Sequence, residues 1–261
     1  MRIVILTSKT LRSKIVYHYL NNKYDIVGVI VDNSGGISKA KKRRVKRRVK
    51  RLGIIKVALQ ILFCRMVLPV LRNVSKDRVK EIVGENGVST PNTHKNHIIA
   101  NSINDKTVTD FIQKENPDLI IVHGTSIISA GTLSKINCPI INFHIGITPQ
   151  YRGLHGGYWA LFNRDEKNFG STVHYVDSGI DSGEILAQKK ISISKRDNFY
   201  TYQILQTVHC LDCFDEAIKR IKKNTKLKLQ KRTVLNGYKS KYYSHPTITE
   251  YLYGRLVLGV K

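Results

Sequence analysis

Short apolar runs alternate with amphipathic segments along most of the chain. Four runs rich in Ile, Val and Leu are typical of strands buried in a parallel sheet. They lie at 2–6, 25–31, 118–124 and 139–144. Segments with helical spacing lie between them, at 9–21, 75–87 and 104–118. This alternation predicts an α/β fold with a doubly wound, mostly parallel, Rossmann-like sheet that binds ligands at the carboxyl ends of its strands.

The rest of the pattern sets the expected domain organisation. Two further strands are predicted at 170–176 and 184–193, followed by one long amphipathic helix at 198–223. A basic segment interrupts the alternation after the second strand and predicts a helical insertion at about 34–74. We therefore expect one domain over 1–222. A short C-terminal tail, 223–261, has strand-like aromatic character that fits a dimer contact or a lid.

The insertion carries much of the positive charge. The formal net charge is +25, and ten of the thirteen residues from Lys39 to Arg51 are Lys or Arg. Residues 52–71 are mostly apolar and long enough to span a bilayer, but a span there would separate the first two strands from their own sheet. Two interpretations remain open. The apolar face packs on protein, which we favour, or residues 39–71 rest on an anionic membrane surface.

Composition excludes several classes of protein. At 41% hydrophobic residues the chain can bury a core, and its four cysteines are too few for a secreted disulfide scaffold. Cys210 and Cys213 have no second pair to complete a zinc site, so they are expected to be buried thiols. The first apolar run is too short for a signal peptide, which predicts a cytoplasmic protein, with the inner membrane face as the alternative location. Without a stacking platform or a known module, nucleic-acid binding is not expected.

The residues with the most chemical potential lie between 139 and 188. Asn142 and His144 stand two apart at the end of an apolar strand, so their side chains share one face. A turn-rich loop, 177–183, carries Asp177 and Asp181. An amide, an imidazole and a carboxylate together suit acyl transfer, although each is also typical of a structural residue. His174 is expected to pack within the sheet.

This segment resembles the catalytic core of the folate-dependent formyltransferases. That family includes glycinamide ribonucleotide transformylase, methionyl-tRNA formyltransferase and the sugar N-formyltransferases, to which the resemblance is closest. The shared pattern is Asn-x-His, a short loop ending in Pro, Tyr-Arg-Gly, and an Asp-containing turn before an Ile or Val strand. The chain supplies "NFH", "TPQYRG" and "GSTVHYVDSGIDSGEILAQ" in that order. Similarity runs more loosely from Met1 to about Lys222, which the resemblance makes the catalytic domain.

The resemblance implies a set of catalytic and cofactor-binding residues. The formyl donor would be N10-formyltetrahydrofolate, the acceptor a primary amine, and no metal is implied. Asn142 and protonated His144 would stabilise the oxyanion that forms as the amine attacks, and Asp181 would hold the imidazolium. The pterin would dock against the backbone of 124–129 and 176–181. The cofactor-binding candidates are Ser126, Ile127, Ile128, Val176 and Gly179.

Departures from the family pattern bear on the acceptor. "TSKT", after the first strand, lacks a glycine-rich phosphate loop, which argues against a purine substrate. About 40 residues follow the long helix, too few for the C-terminal barrel of the tRNA enzymes. We therefore expect an amino sugar, linked to a nucleotide and used in surface glycan biosynthesis. The alternative is a methionyl-tRNA formyltransferase-like or other RNA-associated protein. The substrate-binding candidates are Arg152, His155 and Tyr158, and a homodimer is also an open expectation.

Overall fold

A seven-stranded sheet forms the centre of the protein. The structure, a computed structural model, describes residues 1–35, 38–84, 91–223 and 240–261. In chain order, the strands of these residues are β1 Ile3–Thr7, β2 Ile26–Asp32, β3 His97–Ala100, β4 Leu119–Val122, β5 Ile140–His144, β6 Tyr151–Gly153, β7 Gly170–Tyr175, β8 Ile185–Lys190 and β9 Lys241–Tyr243. The central order is β3-β2-β1-β4-β5-β7-β8, while β6 and β9 form a separate parallel pair. Within the central sheet β7 alone runs against its neighbours, so the predicted mostly parallel sheet is confirmed.

Helices surround this sheet. In chain order, the α-helices of the described residues are α1 Leu11–Asn21, α2 Ser38–Leu52, α3 Ile54–Leu62, α4 Leu68–Val74, α5 Lys76–Val83, α6 Lys106–Glu115, α7 Ala130–Leu133, α8 Gly156–Phe162, α9 Phe199–His209, α10 Cys213–Lys223 and α11 Ile248–Leu256. A π-helical turn, Phe63–Val67, joins α3 and α4 into one continuous stretch. Over residues 38–74 the predicted insertion is helical, and the helix predicted at 75–87 follows it as α5. The end predicted near Gly87 lies outside the described residues.

The two faces of the sheet bury different helices. Successive side chains of a strand point to opposite faces, so Ile3 and Ile5 of β1 face one layer and Val4 and Leu6 the other. The first pair lies in a cluster with α1 and α10, and the second pair lies in a cluster with α6. Each face is therefore covered, which is the arrangement that a continuous run of apolar residues in a central strand requires.

A third apolar cluster joins the insertion to the rest of the protein. Phe63, from the π-helical turn, has its ring centroid 5.0 Å from that of Phe199 in α9 and 5.2 Å from that of Tyr251 in α11. Leu71 of α4 and Trp159 of α8 are buried in the same cluster. One face of the insertion thus packs on protein, and the C-terminal segment is part of that packing.

The prediction of one long helix over 198–223 is wrong in one respect, because this segment forms two helices. α9 ends at His209, and a turn closed by the Cys213 amide and the Cys210 carbonyl leads into α10. A straight helix of that length would extend about 39 Å, roughly twice the length of a six-residue strand. The bend keeps α10 over β7 and β8 while α9 packs against α8. Both cysteines are buried, as expected.

Truncating Phe63 should reveal whether the insertion contributes to the core. Phe63 is fully buried, and Phe→Ala changes at such positions cost about 3–5 kcal/mol of unfolding free energy. We expect Phe63→Ala to lose that much in urea unfolding, whereas Met66→Ala, one helical turn away and exposed, should change stability by less than about 0.5 kcal/mol. Equal, small losses for both variants would mean that the insertion does not pack as described.

Candidate active site

A pocket of about 370 Å³ opens at the carboxyl ends of β4 and β5. The loops after these strands, the turn 177–183 and residues from α1, α9 and the C-terminal segment line it. Its volume lies within the usual range for small-molecule sites, and its position at the strand ends is where an α/β sheet binds ligands. The structure brings Asn142, His144 and Asp181 together in this pocket.

The three side chains are within reach of one another. His144 Nδ1 lies 3.4 Å from Asp181 Oδ2, and Asn142 Nδ2 donates to Asp181 Oδ1 at 3.3 Å. Asn142 and His144 reach the same side because they are two residues apart in β5, while Phe143 between them points into the opposite core cluster. The trio therefore consists of two side chains placed by a strand and one placed by a turn.

The loop after β5 fixes the orientation of the His144 ring. His144 Nε2 lies 2.8 Å from the Tyr151 carbonyl oxygen, which can only accept, so Nε2 carries a hydrogen and Nδ1 is left facing Asp181. Gly146 makes this possible. A Cβ at that position would lie 2.6 Å from both His144 Nε2 and the Tyr151 carbonyl oxygen. The His144 ring can therefore take this position only because residue 146 is a glycine.

Asp181 is a buried carboxylate surrounded by donors. It adopts a left-handed backbone conformation with φ of 48°, and its Oδ2 accepts the Gly153 amide hydrogen at 2.8 Å. Burial by itself would raise the pKa of Asp181. The nearby His144 and His174 rings and the Gly153 amide outweigh burial and hold that pKa below its ordinary range. Asp181 is therefore an anion throughout the neutral pH range.

His174 is a site residue that the sequence interpretation missed. Its Nε2 lies 3.2 Å from Asn142 Nδ2 and 3.6 Å from Asp181 Oδ1. It is buried, as expected, but it lines the pocket and contacts two members of the trio. The expectation of simple packing was wrong because β7 pairs with β5 so that His174 lies directly opposite Asn142.

The residues predicted to bind the cofactor line one side of the pocket. Ser126, Ile127, Ile128, Val176 and Gly179 all contribute to it. The Ser126 hydroxyl is already engaged, since both it and the Ser126 amide donate to Asp32 Oδ2 at 2.7 Å. Ile127 stands at the rim with 65% of its surface exposed. This side of the pocket therefore presents apolar surface on a loop whose backbone is pinned by a carboxylate.

Asn104 provides a second anchor for that loop. Its amide nitrogen donates to the Ile127 carbonyl, and its amide oxygen accepts from the Ser129 amide and the Thr132 hydroxyl. The helix predicted to begin at residue 104 begins instead at Lys106. Asn104 is thus outside the helix because it holds the loop beside the pocket.

The residues predicted to bind substrate separate into two groups. His155 lines the pocket, where its Nδ1 accepts from Gln203 Nε2 at 2.9 Å and its Nε2 lies 2.9 Å from His245 Nδ1. Tyr158 does not, because its side chain is 2% exposed within the aromatic cluster of α8, and the prediction of a substrate contact is corrected. His155 has φ of 60° and precedes the first residue of α8, so its side chain does not lie on the helix face that carries Tyr158. Arg152 points to the Ile180 carbonyl oxygen, at 3.4 Å, and supports the turn rather than lining the pocket.

The two paired histidines are neutral at physiological pH. Burial, and then the neighbouring His245, hold the pKa of His155 well below its usual range. Burial, and then Arg48, lower the pKa of His245 to about 4. Because Gln203 donates to His155 Nδ1, His155 Nε2 carries the hydrogen that is donated to His245 Nδ1, and the hydrogen of His245 is on its Nε2.

Arg12 adds a positive charge to the pocket that the sequence did not reveal. Its side chain is largely buried at the start of α1, and burial lowers its pKa to about 10, so it stays charged. No Asp or Glu in the described part of the chain forms an ion pair with it. His123, beside it, has a buried Nε2 with no hydrogen-bond partner, and burial followed by Arg12 lowers the His123 pKa to about 3. The pocket therefore holds a cation that has no ion-pair partner among the described residues, in addition to the Asp181 carboxylate.

Among residues 1–35, 38–84, 91–223 and 240–261, no group of three or more His, Cys, Asp or Glu side chains could hold a metal ion.

Comparison with known proteins gives this geometry a family. The sequence model described as "Formyl transferase" matches residues 65–209, which is more than half of the chain. The chain therefore belongs to the formyl transferase family. The predicted resemblance and the predicted class of enzyme, a formyl-transferring transferase, are both confirmed.

Individual relatives are more distant. The methionyl-tRNA formyltransferase of Finegoldia magna is 35% identical over 97 residues, which are 37% of this chain and 31% of that protein. That of Clostridioides difficile is 24% identical over 198 residues, which are 75% of this chain and 51% of that protein. The matched parts of the chain thus span about half or less of the length of these relatives. Phosphoribosylglycinamide formyltransferase from Anaplasma phagocytophilum has a TM-score of 0.55 at 16% identity, covering 86% of this chain and 88% of that chain, which supports the fold.

The lowered pKa of Asp181 predicts a pH dependence of stability. A carboxylate whose pKa is lower in the folded state stabilises the fold above its ordinary pKa of about 3.9, and that stabilisation is lost as pH falls through the folded value. Between about pH 5 and pH 2 the wild type should therefore lose more unfolding free energy than Asp181→Asn, measured by urea unfolding. The exposed Asp110→Asn variant serves as the control and should follow the wild type. Parallel pH profiles for wild type and Asp181→Asn would contradict the assignment.

Proposed function

We propose that this protein transfers a formyl group from N10-formyltetrahydrofolate to the primary amine of an anionic small molecule, most concretely a nucleotide-linked amino sugar. One observation carries the proposal. An amide, an imidazole and a buried carboxylate (Asn142, His144 and Asp181) converge in one pocket of a chain that belongs to the formyl transferase family.

The donor side of the pocket fits a flat ring with a polar edge. Ile127, Ile128 and Val176 supply apolar walls, and the exposed Ile127 would be covered by a bound ring. Asp32 and Asn104 hold the intervening loop from behind, so the surface is organised in advance. The donor supplies a formyl group activated for transfer to nitrogen. The protein contributes the position of that group beside the trio.

The trio is suited to stabilise charge during acyl transfer. Asn142 Nδ2 provides an N–H group for negative charge developing on the formyl oxygen, and a positively charged His144 imidazole stabilises the same charge electrostatically. Asp181 stabilises positive charge on His144 through the Nδ1 contact, and His174 on the other oxygen keeps the carboxylate aligned. A proton released from the attacking amine has a nearby acceptor in this carboxylate–imidazole pair.

The acceptor side of the pocket favours a molecule with negative charge. Arg12 is a cation there and forms no ion pair among the described residues, so a bound anion would recover part of the free energy that its burial costs. His245 and His155 are neutral, so neither histidine adds to the positive charge of Arg12. A phosphate-bearing amino sugar combines the amine and the anion that these groups would recognise.

A second acceptor has its own support. The curated relatives named above are methionyl-tRNA formyltransferases, and a chain with a net charge of +25 is attracted to RNA. Methionyl-tRNA is therefore the second candidate, and it uses the same donor and the same trio. An acceptor panel separates the two possibilities.

Replacement of the trio should abolish transfer. With N10-formyltetrahydrofolate and a panel of nucleotide-linked amino sugars and methionyl-tRNA, mass spectrometry should detect a gain of one formyl group on one acceptor class. His144→Ala and Asn142→Ala should each lower the rate on the order of 100- to 1000-fold, because each removes a group that stabilises the oxyanion. His209→Ala, an exposed histidine outside the pocket, should retain full activity. Turnover on methionyl-tRNA alone would replace the sugar proposal, and turnover on neither would reject the function.

Arg12 should determine acceptor affinity more than catalysis. Arg12→Met keeps most of the side-chain volume but removes the charge, so KM for the anionic acceptor should rise roughly 10- to 100-fold while kcat changes little. The exposed Lys9→Met variant removes a charge nearby and should leave KM unchanged. An unchanged KM for Arg12→Met, or an equal loss for a neutral amine acceptor, would show that Arg12 does not bind an anion.

A further inference from the structure

The helical stretch Ile54–Val74 leaves one apolar face uncovered. It has 21 residues and a mean hydropathy of 2.0 in its most apolar window, of which 22% is buried inside the protein. Large apolar side chains on its outer face are 58% to 75% exposed; these are Ile54, Ile55, Met66, Val70 and Val74. Met66, Val70 and Val74 are each four residues apart, so they lie along one side of the helix. Single exposed apolar residues are normal, but a stripe along two helices marks an interaction surface.

The opposite face of the same helix is committed to the enzyme. Val57, Phe63 and Leu71 are buried against it, and Gln60 donates to the Ser244 hydroxyl and the His245 carbonyl. A helix crossing a bilayer would have to break these contacts and expose the aromatic cluster. The helix therefore lies along the surface of the protein with its outer side available to a partner.

The neighbouring helix α2 surrounds this face with positive charge. Residues 38–74 contain thirteen Lys and Arg and no Asp or Glu. The α2 side chains of Lys42, Lys46, Arg47, Lys50 and Arg51 are exposed. Arg65 and Arg72 add exposed charge within the apolar stripe itself. A partner must therefore be anionic and must also offer an apolar interior.

The positive charge and the exposed apolar stripe together distinguish among the possible partners of this surface. A second copy of the chain would bring thirteen like charges against thirteen, which opposes association of this face with itself. A nucleic acid would satisfy the charge, but the exposed stripe consists of aliphatic and thioether side chains rather than the aromatic ones on which bases stack. An anionic bilayer satisfies both, because apolar side chains enter the acyl boundary while basic ones meet the headgroups.

We propose that α2 and the outer face of α3 and α4 bind the surface of an anionic lipid bilayer, with the helix lying in the plane of the interface. α11, which packs against α3, exposes a second apolar group beside it. Leu252, Leu256 and Val257 belong to that group. The surface is independent of the formyl-transfer proposal, since none of these side chains lies in the trio or the donor site.

Vesicle binding tests the proposal directly. The full chain should co-sediment with vesicles that contain phosphatidylglycerol and much less with pure phosphatidylcholine vesicles, and raising the salt should weaken binding. Each basic residue near an anionic surface contributes about fivefold to binding, so Lys46→Gln/Arg47→Gln/Lys50→Gln should weaken it on the order of 100-fold. Ile55→Asp/Met66→Asp should weaken it at least about tenfold by placing charge in the apolar stripe.

Matched controls keep the test specific. Ile99→Asp changes an exposed apolar residue of β3, and Lys219→Gln/Lys222→Gln changes exposed basic residues of α10, and both should bind like wild type. Equal binding to neutral and anionic vesicles, no binding to either, or binding unaffected by both patch variants would overturn the proposal. So would a lipid-free dimer that Ile55→Asp/Met66→Asp dissociates in sedimentation velocity. The salt dependence of the wild type tests the charge requirement even if a variant fails to fold.

Discussion

The buried carboxylate of Asp181 is the interaction on which the site depends. It accepts the Gly153 amide hydrogen at 2.8 Å and lies 3.4 Å from His144 Nδ1 and 3.6 Å from His174 Nε2. Taking a carboxylate out of water costs several kcal/mol unless donors replace the lost hydration. The turn 177–183 therefore closes over β5 only while β6 and β7 present those donors together. One charge in this way fixes the mutual positions of three strands and a loop.

The order imposed by Asp181 extends to the C-terminal segment. Gly153, whose amide it binds, lies in β6, and β6 pairs with β9 from the other end of the chain. Gly153 has φ of 91°, and a Cβ there would collide with the Tyr243 carbonyl oxygen, so only glycine allows the two strands to meet. β9 leads directly to His245 at the pocket. The side of the pocket proposed for the acceptor is thus built on a strand pairing that begins at Asp181.

Distance along the chain explains which parts of this arrangement were predictable. Asn142 and His144 share a face because of the two-residue period of a strand, whatever sheet the strand joins. The fold followed from the alternation of apolar runs, which depends on local sequence only. The contact between His174 and Asn142 could not be predicted in this way, because it depends on the register between strands 32 residues apart. His245 reaches His155 across 90 residues, and nothing near either residue encodes that contact. The place of Arg12 in the site could not be predicted for the same reason, because its lack of an ion-pair partner among the described residues depends on the folded pocket.

The insertion and the pocket are physically continuous. Arg48 of α2 donates to Gln60 Oε1, and Gln60 Nε2 donates to the His245 carbonyl. His245 in turn accepts from His155, which is held by Gln203. Gln60 is the buried amide of an otherwise apolar helix face, so a polar group at that position is explained by this chain of hydrogen bonds rather than by packing. Because both histidines are neutral, this series of hydrogen bonds fixes the orientation of the side chains and does not transfer charge. A displacement of the basic helix would therefore reach the acceptor side of the pocket through one side-chain amide.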